Sequence, residues 1–77
     1  MSFTFKLSDW EGNLTKHTIS NVEDIKDIIF LVISGDEMVV VTYKDGYQER
    51  FDSTNNRSLS LFDEVRTITL DELGDLH

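Results

Sequence analysis

The stretch IIFLVISGDEMVVVTYKDGYQERFD, residues Ile28 to Asp52, decides the fold. It holds runs rich in β-branched and aromatic residues, broken by two turn signals. The first is Gly35-Asp36, because glycine at the first central position suits a type II′ hairpin turn. Pairing outward from it sets Val32 opposite Val39, Phe30 opposite Val41 and Ile28 opposite Tyr43. The second signal is Lys44-Asp45-Gly46. A two-residue loop at Asp45-Gly46 would set charge against the apolar stripe. A three-residue loop with Gly46 in the left-handed position sets Tyr43 against Tyr47 and Val39 against Phe51, and is preferred.

The two turns define a three-strand meander with Ile28, Phe30, Val32, Val39, Val41, Tyr43, Tyr47 and Phe51 on one face. The opposite face carries Ile29, Leu31, Ile33, Met38 and Val40. Two strands are apolar on both sides, so a cover is expected on this second side: either the terminal segments of the same chain or another molecule. A competing reading makes Val22 to Ile33 a helix, since Ser20-Asn21-Val22-Glu23 matches a capping box. The all-round apolar, β-branched run Ile28 to Ile33 favours one helical turn at Asn21 to Lys26 followed by a strand.

Outside the meander, Phe3, Phe5 and Leu7 alternate with polar residues as in a half-buried strand. Ser8 to Asn13 reads as a hairpin loop, and Leu14 to Ile19 as a returning strand. The opposite parity of Leu14 and Ile19 calls for a bulge or an edge position there. Asp52 to Ser58 reads as a polar loop and Val65 to Leu70 as a last strand. The expected class is mainly β or small α+β: one domain over residues 1–77, about six short antiparallel strands in a sheet, barrel or roll, and at most one short helix.

Composition bounds the function. Fifteen acidic residues face seven basic ones, a formal charge of −8, which repels phosphate backbones and anionic lipid and attracts basic surfaces. Tyr43, Tyr47, Phe51 and Trp10 could stack bases only within a basic groove, so they read as core and rim aromatics and direct nucleic-acid binding is not expected. With no cysteine, disulfides and thiolate metal sites are excluded. The start, Met1 to Leu7, lacks the pattern of a secretory signal, and no apolar run approaches the roughly 20 residues of a membrane span. A cytoplasmic protein without membrane attachment is expected. The acceptor patterns Asn13-Leu14-Thr15 and Asn56-Arg57-Ser58 then carry no glycan.

Chemistry is sparse. His17 and His77 lack a nucleophile partner and read as exposed or frayed side chains. The oxygen-rich segments Asp9 to Asn13 and Asp52 to Asn56 lack the spacing of a calcium loop. No phosphate- or dinucleotide-binding glycine motif occurs, so no cofactor, no metal and no enzymatic activity are expected. What stands out is the placing of acids in doublets at turns and element ends. The candidate contact residues are Asp36, Glu37, Asp63, Glu64, Asp71 and Glu72, with Trp10 as an aromatic anchor. They point to a small acidic module that binds the basic surface of a partner protein. It would serve as an inhibitor or as a nucleic-acid mimic of the kind phages and mobile elements encode. The alternative is a structural module that homodimerises through the apolar face of Ile29, Leu31, Ile33, Met38 and Val40.

Overall fold

The computed structural model describes residues 1–53 and 62–77. Among the described residues six strands run in chain order: β1 Phe3–Ser8, β2 Leu14–Ile19, β3 Ile25–Ile33, β4 Asp36–Tyr43, β5 Gln48–Asp52 and β6 Phe62–Ile68. A single 3-10 turn, Val22–Asp24, precedes β3, and a five-residue helix, α1 Leu70–Gly74, follows β6. The strands form two antiparallel sheets, the hairpin β1-β2 and a four-stranded sheet of order β5-β4-β3-β6, and neither closes into a barrel.

The hairpin and α1 cover one face of the larger sheet. Phe5 and Leu7 from β1 and Ile19 from β2 meet Ile28, Phe30, Val39, Val41, Tyr43 and Phe51 from the meander, with Ile68 and Leu73 closing the end. The alternation of Phe3, Phe5 and Leu7 thus marks a half-buried strand, but the terminal segments cover the face of Ile28, Phe30, Val39 and Val41 and not the second apolar side, that of Ile29, Leu31, Ile33, Met38 and Val40, for which a cover is expected from the sequence. Phe5 meets Phe51 edge-on at 5.3 Å, a favoured arrangement of the ring quadrupoles.

The meander forms with one correction. Its second turn has the expected register: Val39 lies opposite Phe51, Gly46 donates to the Tyr43 carbonyl at 2.9 Å, and Gly46 has φ +91°. At the first turn, however, Ile33 pairs with Asp36 and Phe30 with Val39 instead of Val41. The loop is therefore Ser34-Gly35, not Gly35-Asp36. Both residues have positive φ, 52° and 84°, as a type I′ turn requires. The shift moves each partner by two positions, so every side chain keeps its expected face.

Three further expectations are revised. The turn-then-strand reading of Val22 to Ile33 is correct, yet Asn21 makes no side-chain cap bond, so the capping-box match there is empty. The hairpin β1-β2 runs in unbroken register from Phe3↔Ile19 to Ser8↔Leu14, so of the two alternatives for Leu14 to Ile19 the bulge falls and the edge position holds: β2 is an edge of a two-stranded sheet and Leu14 is exposed. The last strand ends at Ile68, and the real capping box is Thr69 with Glu72: Glu72 N donates to Thr69 Oγ1 at 3.2 Å, and Thr69 N donates to Glu72 Oε1 at 3.1 Å. Most of the Asp52 to Ser58 loop, with the Asn56 pattern, lies outside the described residues.

His17 is not exposed. It faces Phe5 across the hairpin, its ring 5.6 Å from Phe5 and 5.7 Å from Phe51. Burial lowers its pKa, against a smaller upward pull from Asp52. A lowered histidine binds fewer protons folded than unfolded, so its effect on stability is absent above about pH 6.5, the unfolded value, and stability falls as pH drops below that. Between pH 7 and pH 5, above the carboxylate range, urea unfolding of His17→Gln should therefore lose less stability than that of the wild type. Equal losses would show that His17 is solvated.

A candidate protein-docking end

At one end of the molecule the β1-β2 loop leans on the β3-β4 turn, and carboxylates hold the two together. Asp9 organises the loop: its Oδ1 accepts from Glu11 N at 3.0 Å and Asn13 N at 2.8 Å, and its Oδ2 from Asn13 Nδ2 at 3.2 Å. Partial desolvation works to raise the Asp9 carboxyl, but these bonds outweigh it and hold the pKa below the ordinary value. Trp10 follows at the tip. Its backbone N donates to Asp36 Oδ1 at 3.0 Å, and its Cβ lies so close to Gly35 that a side chain on that glycine would approach it at 2.8 Å. The side chain is left 69% exposed.

Glu37 ties the same end inward. Its Oε1 accepts from Ser8 N at 2.5 Å and lies 2.6 Å from His77 Nε2, so His77 is docked and not frayed. Asp63 Oδ2 accepts from Gly35 N at 3.3 Å. Four of the seven residues nominated from the sequence, Trp10, Asp36, Glu37 and Asp63, thus converge, and Asp9 and Glu11 join them. The assembly is a fixed loop with an exposed indole among carboxylates.

The other three lie apart. Glu64 Oε2 is 2.6 Å from Arg66 Nε, and Glu72 Oε2 is 3.0 Å from Arg66 Nη1, while the guanidinium carbon sits 5.3 Å from the centre of the Phe30 ring. The hydrogen bond to Glu64, then that to Glu72, raises the Arg66 pKa. The Thr69 backbone bond, then Arg66, lowers that of Glu72. These two acids serve the helix cap and a local ion pair. Asp71 stands exposed in the first turn of α1.

A groove of about 490 Å³ lies beside the β4-β5 turn. In its wall Tyr43 donates from its hydroxyl to Glu49 Oε1 at 2.6 Å. Desolvation, then that bond, pushes Tyr43 up to about 12, so it stays a neutral phenol near pH 7 and is no base. Tyr43 and Phe51 are buried in the core, which leaves neither ring face open to a stacking base. Sequence reasoning missed the roles of Asp9 and His77. An aspartate opening a Gly- and Asn-containing loop was a usable signal for the first; nothing local pointed to the second.

No helix among the described residues is long and apolar enough to cross a membrane. Compared with family models, curated proteins and solved structures, the chain matches none of them.

Proposed function

We propose that this chain is a small acidic protein-binding module that docks its Trp10 end on a basic surface of a partner protein, acting as an inhibitor or adaptor. The observation that carries the reading is the exposed Trp10 indole, fixed by Asp36 and Gly35 and set among Asp9, Glu11, Asp36 and Asp63. Tryptophan is among the residues that most often dominate an interface, and surrounding charge supplies on-rate and partner choice. Holding the loop in advance lowers the ordering cost of binding. A cysteine-free chain suits a reducing, cytoplasmic setting. The nucleic-acid-mimic form of the reading asks for carboxylates spaced like phosphates. Asp36, Glu37 and Asp63 accept backbone amides at one end of the molecule, an arrangement that favours the docking form.

The test uses residues that do not hold the fold. Protein immobilised at low salt should retain a discrete basic protein from a lysate of its source cells, and Trp10→Ala should weaken that capture by about 30-fold or more, the effect of a 2 kcal/mol anchor. Glu11→Lys should weaken it further, and the melting temperatures should barely move. Capture indifferent to both substitutions would remove the basis of the reading.

A further inference from the structure

The strand β6 forms an outer edge of the four-stranded sheet, and among the described residues no strand pairs with its far side. Six of its seven residues, Phe62 to Thr67, are exposed. Such an edge offers alternate backbone N–H and C=O groups to another strand. Asp63 is the extra residue of a bulge opposite Val32 and Ile33, and from Glu64 onward the strand is regular. Its sequence there, Glu64-Val65-Arg66, has opposite charges placed symmetrically about valine.

We infer that β6 pairs antiparallel with β6 of a second copy of this chain, about a two-fold axis through Val65. In that register Glu64 lies opposite Arg66 of the second copy, Arg66 opposite its Glu64, and Val65 opposite its Val65. Each chain already holds Glu64 and Arg66 on one side of the strand, at 2.6 Å, so pairing builds an alternating four-charge ladder. Opposite charges directly across an antiparallel pair stabilise it, and like charges there destabilise it. No slip keeps this match: a one-residue slip brings Glu64 against Val65 or Thr67, and a two-residue slip in one direction brings it against another glutamate. The self-complementarity matters because a net −8 on each copy opposes any association that lacks local pairing.

The pairing also extends the second apolar side of the sheet. Val65 shares that side with Leu31, its neighbour on β3, and is 55% exposed. Val65 against Val65 would join the two outer faces, each with Ile29, Leu31, Ile33, Met38 and Val40, into one surface across an eight-stranded sheet. The alternative reading of the sequence places a homodimer on that face; the inferred pairing uses the adjoining edge. This association is independent of the Trp10 end.

Sedimentation over rising concentration should show the wild type passing from monomer to dimer. Glu64→Arg should raise the dimer dissociation constant about tenfold, since two attractive contacts become repulsive. Adding Arg66→Glu to it should restore association, with circular dichroism confirming the fold of each variant. Val65→Cys offers a second reading in a chain without cysteine: mild oxidation should give disulfide-linked dimers, whereas Gln48→Cys on the other edge, β5, should stay monomeric. A wild type that remains monomeric, a charge swap that fails to rescue a folded protein, or equal cross-linking at both positions would overturn the inference.

Discussion

Replacing Leu7 with alanine should remove about 3 kcal/mol of stability, which is much of what a small domain possesses. Leu7 lies on β1, is fully buried, and belongs to the cluster that joins the hairpin to the four-stranded sheet. Deleting its branched end forfeits the transfer free energy of the removed carbons and leaves a cavity between two layers. Leu14, on the same hairpin, is 49% exposed, so Leu14→Ala should change stability by no more than about 0.5 kcal/mol. Urea unfolding measures both. Equal effects would mean that the hairpin does not pack on the meander.

Gly35→Ala should be nearly as damaging, at about 2 to 3 kcal/mol. Two costs combine. At φ +84° a side chain is strained by about 1 to 2 kcal/mol, and the new Cβ would lie 2.8 Å from Trp10 Cβ and 3.2 Å from Trp10 Cα, an overlap worth about another 1 kcal/mol. Gly46 separates the two. Its φ is +91°, but a Cβ there meets nothing within 4 Å, so Gly46→Ala carries the backbone cost alone. The difference between the variants isolates the contact between the two hairpins. Trp10, the single tryptophan of the chain, should also change its fluorescence in Gly35→Ala and not in Gly46→Ala.

Much of this architecture was legible in residue order. The second meander turn was read in register because Gly46 admits only one loop that keeps Tyr43, Val39 and their partners on an apolar face. The first was misplaced because Ser34, an unexceptional residue for a strand end, adopts positive φ at 52° and takes the place expected of glycine. The faces survived this error since sheet side chains alternate with period two. Helix α1 is hidden in the sequence because the alternation of Ile68, Thr69 and Leu70 reads as strand and masks the Thr69 and Glu72 cap. The acids were the least legible. Their charge is visible in composition, but Asp36 and Glu37 accept amides from residues 26 and 29 positions away, and no local pattern encodes that. A doublet that looks like solvated decoration is in part the clasp between two hairpins.

That clasp is what presents Trp10, and the fluorescence of this one indole reads the presentation directly. An arginine-rich peptide titrated into the protein at low salt should shift the Trp10 emission to a saturating limit. Salt should weaken the effect, and a glutamate-rich peptide of equal length should produce none. If the basic peptide binds, as followed by the anisotropy of a label on it, while the Trp10 emission stays unchanged, the acidic surface acts elsewhere and the docking end is wrongly placed.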